Sequence, residues 1–283
     1  IRRQRQMCIR DSTSITTRIS RDQSAMGKTT SKIFDLQGKA VGKVKVPTVS
    51  KTPLRPDVIK RGVVALQSHR YEPQGRDPLA GKRRSVESLG AGHGIARVPR
   101  LKGGGQDAAF GVGIVKGRQA FPPVAQKKIA KKIPKKEMHL ALRSALAATG
   151  SKKVVASRGH IVDMIRDFPL VVADDIQTLK KTKEVEDAFL KLGLWPDVVR
   201  VKESLKERAG KGKRRGRRLK HSVGPLLVVE KNEGVATAAR NLLGVDITTV
   251  KNLNVELLAP GTHPGRLTVW AKSALEKLSE LYA

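Results

Sequence analysis

Between Glu72 and Phe121 the chain holds eleven glycines and nine lysines or arginines against four acids. Neither a helical nor a strand-like apolar period runs through that stretch. It therefore cannot bury enough apolar surface to offset the conformational entropy of ordering itself. A structureless run of this length inside a folded domain is either functional or disordered, so the rest of the chain has to be read around it. The run peaks in "GAGHGIARVPRLKGGG", Gly90 to Gly105. A dinucleotide-binding loop would need a third glycine where Ile95 stands, and an apolar strand where Ser85-Val86-Glu87-Ser88-Leu89 stands. The phosphate-cradle fingerprint fails on both counts.

Charge gives the next constraint. The 57 Lys and Arg against 25 Asp and Glu leave the 283-residue chain at +32, a self-repulsion that calls for a polyanionic partner. No apolar run comes near the roughly 18 residues of a membrane span, and no basic helix shows a lipid-facing stripe, so nucleic acid is favoured over membrane. With only nine aromatic residues, backbone contacts to folded RNA or duplex fit better than a series of stacked bases. The one cysteine, Cys8, excludes an internal disulfide framework and a multi-cysteine zinc site, and is consistent with a reducing compartment.

Hydrophobic residues at 39% suffice for a core. Residues 1–31 are expected to lie outside it as a disordered or non-native segment. Ile1 to Ala25 has the composition of a transit peptide, but reads as a translated flank or tail ahead of a natural start at Met26. From residue 32 a hairpin is predicted around Gln37-Gly38-Lys39, then a helix opening at Pro56 with Val58, Ile59, Val63 and Leu66 on one face. After the glycine-rich stretch a helix runs from Glu137 to Thr149 on Leu140, Leu142, Leu146 and the alanines. Apolar strand-like runs (169–173, 226–229, 245–250, 267–270) then alternate with helical ones (through Val185, Phe189 and Leu192; 235–242; 274–281). That alternation specifies an α/β fold, three layers around a mostly parallel sheet. Residues 32–283 thus read as a single α/β domain, interrupted by an extended loop at 71–125 and a basic insertion at 207–223.

The insertion, "RAGKGKRRGRRLKH", has eight Lys or Arg and no acid between Arg208 and Lys220. Its glycines oppose a rigid helix and allow close approach to phosphates. A nuclear-localisation patch is the bland alternative; the charge of the whole chain favours RNA contact. "KKIAKKIPKK", Lys127 to Lys136, reads equally well as a solvated linker. Both excursions are expected to lack a fold until polyanion surrounds them.

No catalytic constellation emerges. "AMGKTT" imitates the end of a P-loop, but its leading glycine would fall at Asp22 and no strand precedes it. Asp174 and Asp175 stand at the carboxyl end of a predicted strand, where an α/β enzyme would hold magnesium or a ligand, yet without a phosphate loop they read as the start or cap of the next turn. The histidines at 69, 93, 139, 160, 221 and 263 share no ligand spacing and read as surface or RNA-facing residues. Ser144 and Ser157 lack a nucleophile elbow. Neither metal nor cofactor is implied.

"PLRPDVIKRGVVALQSHR", "PQGRDPLAGKRR", "GAGHGIARVPRLKGGG", "GRQAFPP", "RAGKGKRRGRR" and "ELLAPGTHPGRLTVW" follow one another from about Lys32 to Tyr282. In that order they resemble the ribosomal large-subunit protein L-four family, in its archaeal and eukaryotic branch. The resemblance implies a non-catalytic cytoplasmic protein of the large ribosomal subunit. Its α/β domain would sit on the outside, and its loop would thread through rRNA to the constriction of the nascent-peptide exit tunnel beside protein L-twenty-two. Its partners would be rRNA, neighbouring ribosomal proteins and the nascent peptide, with no membrane. His93, Arg97 and Arg100 would form the tunnel tip, His93 standing where eukaryotic relatives have Arg. Arg97, Arg100 and Lys102 would meet rRNA near the tip, Arg76, Lys82, Arg83, Arg84 and Arg118 in the stems, and Arg208, Lys211, Lys213, Arg214, Arg215, Arg217 and Arg218 on the second strap. The chain stops at Ala283 without the long extension of eukaryotic members, which points to the archaeal form. The rival reading is an α/β enzyme acting on RNA or a nucleotide through Asp174 and Asp175.

Overall fold

The computed structural model describes residues 29–103 and 106–282. The expectations for residues 1–28, including Cys8 and Met26, lie outside the described residues, as do Gly104 and Gly105. The chain divides into two units, one formed by the chain up to Leu66 with Lys132 onward, the other by Gln67–Lys131.

The first unit is built on a six-stranded sheet. Its strands are β1 (Thr30–Phe34), β2 (Ala40–Lys45), β3 (Leu170–Val172), β4 (Leu226–Val229), β5 (Asp246–Thr249) and β6 (Thr268–Ala271). They lie in the order β2-β1-β3-β6-β4-β5. Only the β1–β2 hairpin is antiparallel, and every other neighbouring pair is parallel. Trp270 of β6 stands in register between Val171 and Val228. Every residue of β3, β4 and β6 is buried. Because successive side chains point to opposite faces, such strands must be covered on both sides, and this explains their unbroken apolar runs. β1 starts at Thr30, two residues ahead of the domain start expected from the sequence, and Ser31 within it is buried. The hairpin turn requires Gly38. Its φ is +75°, and a Cβ there would lie 2.5 Å from the Lys191 carbonyl oxygen.

The helices are α1 (Pro56–Ser68), α2 (Lys135–Thr149), α3 (Lys152–Ser157), α4 (Thr182–Lys191), α5 (Trp195–Glu203), α6 (Val235–Ala239), α7 (Val255–Leu258) and α8 (Lys272–Tyr282). The predicted α/β architecture is present. One detail differs in α2: Leu140 is exposed, and the buried face runs through Ala141, Leu142, Ala145, Leu146 and Ala148. Small residues are needed there, since a Cβ on Gly62 would come within 3.2 Å of the Ala141 Cβ. The helices α3, α5 and α7 have no counterpart among those predicted from the sequence.

The second unit has little regular structure. Val86–Glu87 pairs antiparallel with Arg100–Leu101, and the rest is turns and extended chain.

Candidate nucleic-acid interface

Residues 71–125 form an excursion with a paired stem and an open tip. In the stem, the Arg76 amide donates to the Pro123 carbonyl at 3.0 Å. The two legs run so close that a Cβ on Gly75 would lie 2.6 Å from the Ala125 nitrogen, and one on Gly81 2.6 Å from the Arg118 nitrogen. Farther out, Lys102 N donates to Ser85 O and Leu101 N to Asp107 O. At the tip, Gly90, Gly92 and Gly94 have φ of +72°, +93° and +64°, with nothing within 4 Å of a Cβ placed on them. No described protein group calls for those glycines by contact; the backbone conformation does.

The predicted cationic residues are distributed along this excursion. Arg76, Lys82, Arg83 and Arg84 are exposed on the stem, and His93 and Arg97 on the tip. Arg83 pairs with Asp77 at 2.5 Å and Lys102 with Glu87 at 3.5 Å, on exposed side chains. Exposed pairs of this kind contribute about 0–1 kcal/mol, so a phosphate can replace the acid at little cost. Arg118 is half-buried, its guanidinium 5.5 Å from the centre of the Phe110 ring. Arg100 is turned inward. One Nη donates to the Gln106 carbonyl and the other to the Ala96 carbonyl, which fixes the base of the tip.

The basic insertion is more folded than a strap. Lys206–Glu207 pairs antiparallel with Leu219–Lys220, and a 3-10 turn spans Lys211–Arg215 between Gly210 and Gly216, each at φ +76°. Arg208 N donates to Arg218 O at 2.8 Å, and Arg208 Nε to Arg217 O at 3.1 Å. Arg218 also lies 3.4 Å from Glu207. This hairpin leaves Lys211, Lys213, Arg214, Arg215, Arg217 and Arg218 exposed and Arg208 half-buried.

The foot of the hairpin rests on a buried polar cluster that the sequence did not disclose. Ser222 N donates to Ser204 Oγ at 2.8 Å, and Arg200 Nη2 to Val223 O at 2.9 Å. Arg200 Nε is held 2.9 Å from Asp197 Oδ1, while His160 Nδ1 lies 2.9 Å from Asp197 Oδ2. His160 is thus buried, against the expectation of a surface residue; the other five histidines are exposed. Burial pushes the imidazole below its ordinary pKa, and Asp197 only partly opposes this. Burial would raise the Asp197 carboxyl, but hydrogen bonds from His160 and Arg200 outweigh it and hold it low. Beside this cluster Arg266, 1% exposed, donates to Gly224 O at 2.9 Å, Leu257 O at 3.1 Å and Asp246 Oδ2 at 2.6 Å. It ties together the segments entering β4, β5 and β6, and gives the "PGRLTVW" stretch its physical role.

The crevice at the carboxyl ends of the strands, where open α/β sheets take ligands, is occupied by the protein's own side chains. Asp174 Oδ1 accepts from Ser273 N at 2.9 Å, Ser273 Oγ at 2.7 Å and Gln177 Nε2 at 3.0 Å. Gln177 Oε1 accepts from Lys231 N at 2.9 Å. Asp174 therefore opens one turn and caps α8, as the non-catalytic reading of this residue requires. Asp175 is exposed on the same turn. Ser144 Oγ is bound to Arg55 N and Pro53 O. No group of three potential metal ligands occurs among the described residues.

A sheet whose ligand crevice is filled by its own side chains, in a chain that exposes cationic side chains on two glycine-punctuated excursions, defines a basic α/β protein. Residues 44–281 match the model of the Ribosomal protein L4/L1 family. The chain is 47% identical over 250 residues to the large ribosomal subunit protein uL4 of Methanosphaera stadtmanae, covering 88% of this chain and 96% of that protein. It is 49% identical over 249 residues to the protein of the same name from Archaeoglobus fulgidus, covering 88% and 98%. The chain belongs to the ribosomal protein L4/L1 family.

Proposed function

We propose that the protein is a non-catalytic, structural component of the large ribosomal subunit in the cytoplasm, and that it binds and orders rRNA during assembly. The observation that carries this reading is the placement of charge. Two glycine-punctuated excursions carry a strong excess of positive charge, nine lysines or arginines against four acids in residues 71–125 and eight against none from Arg208 to Lys220, and neither builds an apolar core that would hold such charge together without a polyanion. Lys82, Arg83, Arg84 and Arg76 on the stem, and Lys211, Lys213, Arg214, Arg215, Arg217 and Arg218 on the hairpin, serve as phosphate contacts. Arg118 and Arg208, half-buried, support them.

The resemblance to the L-four family carries the finer assignment. The 71–125 excursion lines the exit-tunnel constriction beside protein L-twenty-two, with His93 and Arg97 turned outward toward the nascent peptide and Arg100 shaping the tip. Sedimentation tests the whole. A tagged chain expressed in an archaeal host should co-migrate with large subunits through sucrose gradients; accumulation only in small free complexes overturns the assignment.

A further inference from the structure

Of the described aromatic side chains, only Tyr71 and Phe121 are more than half exposed, at 62% and 93%. Both lie on the 71–125 excursion. Phe34, Phe168, Phe189 and Trp270 are spent in the core of the other unit. Leaving a phenyl ring in water forfeits about 1.5–3 kcal/mol of burial, so so exposed a ring stands out.

Its surroundings are specific. Phe121 borders an open cleft of about 550 Å³ walled by Arg76, Val112, Gly117, Arg118 and Gln119, with no carboxylate in its lining. That volume falls in the range of about 300–1,000 Å³ usual for small-molecule clefts. Arg76 Nη1 reaches Gln119 Oε1 at 3.4 Å, which places a guanidinium and an amide on one wall. The backbone beneath the ring is tied down: Pro122 follows it and disfavours helical backbone at Phe121, and Pro123 O accepts from Arg76 N across the stem. A planar apolar face on a fixed backbone beside cationic planar donors matches an unstacked nucleobase, which offers a π-face and polar edges next to phosphate.

We propose that the cleft beside Phe121 accepts one unpaired nucleobase, stacked on the Phe121 ring with its edge toward Arg76 and Gln119. This rests on the RNA-binding reading above and goes beyond it: the chain reads one splayed base here in addition to phosphates. The absence of acids in the lining and the guanidinium wall favour RNA over a protein partner.

The test uses the full-length chain and two RNAs, a perfect duplex and the same duplex with one bulged 2-aminopurine. Binding of the wild type should quench the 2-aminopurine emission. Phe121→Ala should weaken binding of the bulged RNA by about 5- to 150-fold, the range for removing one base-stacking ring, abolish the quench, and leave the perfect duplex unaffected. Phe121→Trp should retain both quench and affinity. Because Phe121 is exposed, the alanine variant keeps its fold, which retention of perfect-duplex binding also reports. Equal loss on both RNAs, or no loss on either, overturns the cleft and leaves phosphate binding standing. Failure of the wild type to bind either RNA overturns the RNA-binding reading and the cleft with it. Phe121-dependent displacement of the bulged RNA by poly-glutamate would make the cleft a protein-docking site and overturn the proposal.

Discussion

Asp174 and Ser273, ninety-nine residues apart in sequence, are joined by two hydrogen bonds onto one carboxylate oxygen, 2.9 Å from the backbone amide and 2.7 Å from the hydroxyl. The first turn after β3 and the first turn of α8 are thereby fastened at the one place where an enzyme of this topology would need an opening. Asp174→Ala removes a helix cap and should lower stability by about 0.5–2 kcal/mol, read as a shift of the urea midpoint. RNA affinity should be unchanged, whereas a catalytic role for Asp174 would show as lost activity on RNA or nucleotide.

Arg266→Met should be far more damaging. It leaves the carbonyls of Gly224 and Leu257 without their donor in a buried site, at about 1–3 kcal/mol for each unsatisfied group. We expect a loss of about 3 kcal/mol or more in denaturant unfolding.

The His160 cluster sets a pH dependence. The folded imidazole titrates below its ordinary value, whereas in the unfolded chain it titrates near about 6.5. Below that pH the unfolded state binds the extra proton, so the stability from burying a neutral ring is complete above about pH 6.5 and is lost as pH falls toward the lower folded pKa. Unfolding free energy should decline as pH falls below about 7 in the wild type. His160→Asn, which keeps a donor for Asp197 and has nothing to titrate, should flatten that decline.

Phosphate contact predicts a salt law. With about ten phosphates engaged, the log–log slope of rRNA affinity against salt should be roughly −7 to −9, and each contact removed should reduce its magnitude by about 0.7–0.9. The triple variant Arg214→Gln, Arg215→Gln, Arg217→Gln should therefore flatten the slope by about 2–3. An unchanged slope would remove the hairpin from the interface.

Hydrogen exchange on the free chain should grade the excursion. Amides from Ser88 to Arg97 should exchange at close to intrinsic rates, while those of Arg76 and Leu101, donated to Pro123 and Asp107, exchange more slowly and gain protection on rRNA. Uniformly strong protection of the tip without RNA would contradict the expectation that it lacks a fold alone.

Much of the fold could be read from the sequence because its signals are local. Leu226-Leu227-Val228-Val229 is apolar without alternation, the mark of a strand covered on both faces, and Pro56 opens a helix as first-turn prolines do. Hydropathy counts Leu140 with Leu142, Leu146 and the alanines, yet Leu140 is exposed, and at the contact with Gly62 only small side chains fit. α5 was missed because Gly193 and Pro196 punctuate its start. The hairpin pairing of Glu207 with Leu219 carries no apolar alternation at all. His160 and Arg266 were illegible for a different reason. Whether a polar side chain is buried depends on partners tens of residues away, and no window of sequence contains them. The charge of the two excursions is plain in the sequence, but nothing in it singles out Phe121, whose exposure depends on the fold.

The near-contact of Gly75 with Ala125 has a steric consequence. An excursion whose outgoing and returning legs touch presents a doubled chain along its stem, so any passage that holds it must admit two backbones side by side, where a single extended tail would need room for only one.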